Sequence, residues 1–172
     1  MFTKTDIEKY FLAEKSESLF FLVVGIVAIL FSVWFLGFLK TSFYKGAAIP
    51  LLVIGLIQAV VGYTVHARSD EQRISNVYAY SMDPGKLKNE ELPRMKTVNR
   101  NFVIYRWAEI ILLAAGLGMF FLFRSLPDRS FWVGMSITLA FQAGLMLTAD
   151  RFAEHRALSY TKGIEEFVNK KT

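Results

Sequence analysis

The sequence predicts an all-α polytopic membrane protein, a four-transmembrane-helix antiparallel bundle whose helices extend into the cytoplasm. Two observations carry this prediction: the mean hydropathy of the 172 residues is +0.35, and four long stretches contain no charged residue. A soluble core helix would carry polar residues at every third or fourth position, and these stretches do not. We therefore expect a single transmembrane domain covering residues 1–172.

The four spans are predicted at residues 18–39, 46–65, 107–123 and 130–149. Uncharged stretches of 20 to 22 residues coincide with three of them, and at about 1.5 Å per residue such a helix crosses a hydrocarbon core of roughly 30 Å. The uncharged part of the third span is shorter, so this span must begin near Trp107. Tyr105 and Trp107 at one end and Arg124 at the other suit the two membrane interfaces.

The distribution of basic residues predicts the orientation. Of the 20 Lys and Arg residues, only Lys40, Lys45, Arg124 and Arg129 lie in the two turns that follow the first and third spans. The positive-inside rule then places both termini and the long 66–106 region in the cytoplasm, with the spans in the plasma (inner) membrane. The net charge of +5 is mainly a topology signal, because acidic residues interrupt the basic ones and no nucleic-acid surface results.

Each span is expected to continue as a helix on the cytoplasmic side. These extensions are predicted at about residues 5–17, 66–82, 90–106 and 150–169. Thr5 is the expected N-cap of the first helix, and Asn89 that of the third, after the turn signature at 83–85. Connections of about seven residues predict antiparallel neighbours and an up-down-up-down bundle.

A weak internal repeat suggests two tandem hairpins. Gln58 and Ala59 recur 84 residues later as Gln142 and Ala143. A second set recurs at a shift of 88 residues, pairing Phe43 with Phe131 and Gly46 with Gly134. Two hairpins of the same orientation would be related by an axis along the membrane normal.

The sequence offers no catalytic residue with a recognisable motif. Phosphate-binding, dinucleotide-binding, zinc-protease and nucleophile-elbow motifs are missing, as is any Cys, and the only histidines are His66 and His155. No cofactor is therefore expected, and the chain is interpreted as non-enzymatic.

Seven ionisable side chains are predicted to converge at the inner membrane boundary. On three helices they continue the apolar stripes that face the bundle, and on the second they follow back from Ile74 and Val77, taken as its inward face. The seven residues are Glu14, Glu17, His66, Asp70, Glu109, Asp150 and Glu154. Converging carboxylates cannot all stay ionised in a partly dry bundle without compensating positive charge.

Three interpretations of this cluster remain open. The first is a structural ion-pair network, in which Arg106 is within pairing reach of Glu109. The second is a site for a divalent metal or another cation, although the Glu-x-x-His pairs of di-iron bundles are missing and the metal is unknown. The third is a proton or substrate relay. The counter-charges at this level are Arg68, Arg73, Arg106, Arg151 and Arg156.

Gln58 and Gln142 lie nearer the middle of the membrane, where a glutamine can bond between helices or line a conduction path. The leading functional hypothesis is an inner-membrane protein that acts by binding a partner, either as a subunit or accessory of a membrane complex or as an immunity-type protein. The alternatives are a metal- or ion-binding protein (a transporter or a carboxylate-bridged metal enzyme) and an oligomeric channel. The expected partners are the lipid bilayer and either another protein or further copies of the chain.

Overall fold

Four long helices make up the computed structural model, which describes residues 2–171. Helix α1 runs over Lys4–Leu39, α2 over Ser42–Met82, α3 over Pro84–Phe123 and α4 over Pro127–Lys170. Within the described residues there is no strand. Each helix is long enough and apolar enough to cross a membrane, which confirms the predicted all-α fold with four candidate spans.

Two helix N-termini differ from the prediction. Thr3, rather than Thr5, caps α1: its hydroxyl accepts the N–H of Asp6 at 3.4 Å, and the Asp6 carboxylate accepts the N–H of Thr3 at 2.8 Å, which forms a capping box. Asp83, rather than Asn89, caps α3 by accepting the N–H of Lys86 at 3.2 Å. The connections are therefore one to three residues long, and the prediction of about seven was wrong.

The charge pattern divides the molecule into two halves. We call residues 18–39, 46–65, 107–123 and 130–149 the apolar half, and residues 5–17, 66–106 and 150–169 the polar half. All four helices contribute side chains to one core in the polar half, which removes much apolar surface from water. This core consists of Ile7, Tyr10, Phe11, Ala79, Leu87, Met95, Ala157, Tyr160, Ile164 and Val168.

In the apolar half, α1 and α2 approach each other through glycine. A Cβ atom on Gly25 would lie 2.6 Å from the carbonyl oxygen of Gly55. A Cβ atom on Gly62 would lie 2.6 Å from the carbonyl oxygen of Ser18. The two backbones are therefore in direct contact, as is common between helices that lack a hydrophobic driving force.

Helices α2 and α4 meet in a reciprocal contact. A Cβ atom on Gly46 would lie 1.9 Å from the carbonyl oxygen of Phe131, and one on Gly134 would lie 2.0 Å from that of Phe43. These four residues are the ones paired by the 88-residue shift in the sequence. The contact therefore has the local two-fold character expected of two tandem hairpins in the same orientation.

The helices pack in an order that differs from their order in the chain. Helix α1 packs on α2, α2 on α4, and α4 on α3, whereas α2 and α3 approach closely only beside the turn that joins them. The prediction that consecutive helices are neighbours along their lengths was wrong for α2 and α3. The matched glycine faces bring the parallel helices α2 and α4 together instead.

The inward face of α2 in the polar half agrees with the prediction only in part. Val77 is partly buried and packs against the core, as predicted, whereas Ile74 is 64% exposed. The buried residues Ser69, Asn76 and Ala79 are small or polar and allow close helix approach, and hydrophobicity alone therefore misplaced Ile74.

Candidate functional site

The seven predicted site residues do not form one cluster, because the helices bring them together in three separate groups. Glu14, His66 and Asp70 lie between α1 and α2. Glu17 faces α4. The third group, Glu109, Asp150 and Glu154, lies between α3 and α4.

The group between α1 and α2 is an ion pair with hydrogen bonds around it. Lys15, which the sequence reasoning did not include, pairs with the carboxylate of Asp70, and Arg73 approaches the same carboxylate at 3.4 Å. The hydrogen bond from Lys15 lowers the pKa of Asp70. His66 is held by its Nδ1 atom, 3.2 Å from the carbonyl oxygen of Lys15. Since Lys15 and Asp70 are partly exposed, the pair contributes little to stability.

Glu14 lies in the polar half and is largely buried. Its carboxylate accepts hydrogen bonds from the hydroxyl of Tyr10 at 3.3 Å and from that of Ser69 at 3.4 Å. Burial raises its pKa, and the positive charges of Arg94 and Arg68 oppose the rise. The predicted counter-charge Arg68 thus acts on this carboxylate only through space.

Glu17 joins α1 to α4 through Arg156. The guanidinium Nη2 donates to the Glu17 carboxylate. Burial raises the pKa of Glu17, while the charge and hydrogen bond of Arg156 lower it. This contact is the ion pair between distant helices that the structural-network interpretation expects.

The group between α3 and α4 departs most from the expected pairing. Arg106 does not pair with Glu109, since its Nη1 lies 2.8 and 3.0 Å from the two carboxylate oxygens of Glu154. Arg151 donates to the same carboxylate at 3.0 Å. Glu109 is 3% exposed, and neither of its carboxylate oxygens receives a hydrogen bond from a donor group. Its carboxyl group instead lines the same small cavity between α3 and α4 as Asp150.

A second buried pair was missed by the sequence reasoning. Glu91 accepts two hydrogen bonds of 2.7 Å from Arg94, whose guanidinium also lies 5.7 Å from the centre of the Phe11 ring. Burial alone would lower the pKa of Arg94, but its hydrogen bonds to Glu91 and the negative charge of that residue outweigh this effect and leave the pKa above its ordinary value. The three-residue spacing of Glu91 and Arg94 was the available signal. The sequence analysis did not use this spacing, because the third helix was expected to begin only near these residues.

The two glutamines bond to each other. Gln58 Nε2 donates to Gln142 Oε1 at 3.4 Å inside the contact between α2 and α4, and the residues are 2% and 1% exposed. Since they are enclosed within one chain, they are not positioned to line a pore between copies.

Among the described residues, no group of three or more Asp, Glu or His side chains is placed to hold a metal ion. The arginines explain this arrangement in part, because they engage the carboxylates of Glu17, Asp70 and Glu154.

The fold defines a class of protein, a four-helix chain in which every helix could span a membrane. Comparisons with known proteins add nothing to that class: no family model, no curated protein and no solved structure matches the chain.

Proposed function

We propose that this chain is a non-enzymatic inner-membrane protein that binds another membrane protein along one face of α2, with the polar half in the cytoplasm. The observation that carries the proposal is a stripe of exposed apolar side chains in the polar half. Ile74, Tyr78 and Met82 are 64%, 65% and 71% exposed, and they follow each other at four-residue intervals on α2.

Lipid does not account for this exposure. Ile74 lies nine residues beyond the last uncharged position, Val65, and Met82 lies 17 residues beyond it. At about 1.5 Å per residue these distances are roughly 13 and 25 Å. The interfacial layer of a bilayer is only about 5–8 Å thick on each side. Water or another protein must therefore cover the stripe, and an exposed row of large apolar side chains favours a protein.

The exposed face continues into the apolar half at coiled-coil spacing. It runs from Val53 through Ile57, Val60, Thr64, Ala67 and Glu71 to Ile74 and Tyr78, all of them exposed, at alternating steps of four and three residues. Such a 3.5-residue period favours packing against another long helix. The partner is accordingly a helix that crosses the membrane and also extends beyond it.

Glu71 indicates that the partner is a different protein. In a parallel pair of α2 helices, each Glu71 would face its own copy, and like charges at such positions are unfavourable. A basic residue on the partner helix opposite Glu71 would remove this cost. We therefore propose a heterologous membrane helix with a Lys or Arg at that level.

Site-specific photo-crosslinking in native membranes tests the proposal. A benzophenone amino acid placed at Ile74, Tyr78 or Met82 should give one adduct of the same mass, in which peptide mass spectrometry identifies a partner with a membrane-spanning helix. The exposed residues Leu12 and Leu158 on α1 and α4 are matched control positions and should give none. Glu71→Arg should weaken the adduct at least several-fold, and Glu71→Gln should leave it.

Three results would overturn this function. An adduct with the mass of two copies of the chain would identify a homo-oligomer. An adduct with a water-soluble protein would exclude a membrane helix as partner. Equal amounts of adduct at the stripe positions and the control positions, or no adduct at any position, would show that the stripe is not a binding surface.

A further inference from the structure

A small cavity between α3 and α4 lies where the apolar half meets the polar half. Its volume is about 10 Å³, which is enough for one water-sized occupant. Phe102 and Leu147 form its apolar walls. Its charged lining consists of Arg106, Glu109, Asp150, Arg151 and Glu154.

The charges around this cavity do not balance. Both arginines are engaged with Glu154, and together these three groups carry one positive charge. Ionised Glu109 and Asp150 would add two negative charges, which leaves the lining one positive charge short. An uncompensated charge beside a buried carboxyl group is unfavourable. The lining therefore requires one further positive charge.

Neighbouring helices do not supply that charge. Glu17 of α1 interacts electrostatically with Asp150, and it is itself acidic. Its partner Arg156 is directed to Glu17 and not to Asp150. The compensating charge must come from solution.

The donor set favours a proton over a metal ion. A metal ion needs several oxygen ligands, but Glu154 is taken by two arginines and only the carboxyl groups of Glu109 and Asp150 remain. Positive guanidinium groups in the lining would also repel a metal ion. Two carboxyl groups that line one small cavity, by contrast, need only one shared proton.

The geometry points to a proton-binding site formed by Glu109 and Asp150. In the bound state one carboxyl group carries the proton and donates it as an O–H hydrogen bond to the other, ionised one. Release transfers that proton to water and leaves two carboxylates facing each other across the α3–α4 contact. Their repulsion then loosens this contact, so that the packing of α3 on α4 depends on proton occupancy.

Infrared difference spectroscopy of the intact protein in lipid nanodiscs tests this inference. Raising the pH should remove a carboxylic-acid carbonyl band, and isotope labelling of the Glu or of the Asp carboxyl carbons should show which residue type carries the proton. The band should be absent from Glu109→Gln and from Asp150→Asn. It should persist in Glu14→Gln, a matched control because Glu14 is also largely enclosed but lies between α1 and α2.

A stability measurement provides the second readout. The thermal midpoint of the wild type should fall as the pH is raised through the range in which the band disappears, and that of Glu109→Gln should not change over this range. The proposal would be overturned if the wild-type band disappeared when sodium replaced choline in the buffer at constant pH, because sodium would then be the ligand. The wild-type spectrum alone can also overturn the proposal, even if both variants fail to fold. It would do so if no labelled carboxylic-acid band were present at any pH above the range in which ordinary carboxyl groups ionise.

Discussion

The polar and apolar halves of this molecule are held together by different kinds of contact. In the polar half, large side chains such as Phe11, Ile7 and Met95 fill a common core of all four helices. In the apolar half the contacts are made by glycine and other small residues, and α1 and α3 each pack against a single neighbour. Burial of apolar surface stabilises helices only against water, whereas lipid is as apolar as leucine and rewards close backbone approach instead.

The largest expected effect tests the polar half. Phe11→Ala removes a fully buried ring that contacts residues of other helices. It should lower the free energy of unfolding by about 3–5 kcal/mol, measured by unfolding in mixed detergent–SDS micelles. The adjacent substitution Leu12→Ala is the control, because Leu12 is exposed. Equal losses for the two variants would mean that this core does not stabilise the protein.

The next effect tests the apolar half. Gly134→Ala places a methyl group 2.0 Å from the carbonyl oxygen of Phe43 and should force α2 and α4 apart, at a cost of about 1–3 kcal/mol in the same assay. Gly118→Ala introduces the same methyl group where nothing lies within 4 Å and should not destabilise the protein. If both variants were as stable as the wild type, close backbone contact would not be what joins these helices.

A smaller effect tests the ion pair at the junction of the two halves. Arg156→Gln removes the cation that lowers the pKa of Glu17, so that the pKa rises further above its ordinary value. The free energy of unfolding should fall by about 1–2 kcal/mol, and this loss is limited because both groups are partly exposed. Because the folded-state pKa is then raised further, the loss should grow as the pH rises through it and shrink at acidic pH.

Lys96→Gln is the control for this pair, since its ion pair with Glu165 also joins two helices but is more exposed than that of Arg156 with Glu17. A pH-independent loss in Arg156→Gln would show that Arg156 acts through packing rather than through its charge.

The smallest effect concerns the glutamine pair in the apolar half. A double-mutant cycle with Gln58→Leu and Gln142→Leu should give a coupling of about 0.6 kcal/mol, the average for hydrogen bonds between transmembrane helices. The measured hydrogen bond is long, at 3.4 Å. A coupling several times larger would indicate that polar contacts, and not small residues, dominate the apolar half.

Much of this architecture could be predicted from the sequence because lipid imposes a simple requirement on it. The absence of charge over about 20 residues is a strong signal for a helix that can span a membrane, and four such helices are present. The inward stripe of Ile7, Tyr10 and Phe11 on α1 was also predictable, since all three are buried. The orientation in the membrane remains a prediction.

Which helix faces which could not be predicted in the same way. The order of packing depends on backbone approach at positions such as Gly46 and Gly134, and glycine carries no directional signal in an apolar stretch. For α2, the buried residues are small or polar, so the apolar residue Ile74 misled the assignment, although Val77 does pack against the core. The choice of Arg106 for Glu154 over Glu109 depends on side-chain geometry that sequence spacing does not contain.

Because α2 and α4 meet in a reciprocal contact, the first hairpin of the chain can be compared with the second. Asp70 lies 84 residues before Glu154, and each of the two pairs with a basic residue of the preceding helix: Asp70 with Lys15, and Glu154 with Arg106. The same shift places His66 where the second hairpin has Asp150. The basic partners do not correspond at this shift, since the counterpart of Arg106 is Leu22, and the two salt bridges therefore join different positions of the two hairpins. The facing acids Glu109 and Asp150 correspond to Gly25 and His66, so the first hairpin lacks such a pair.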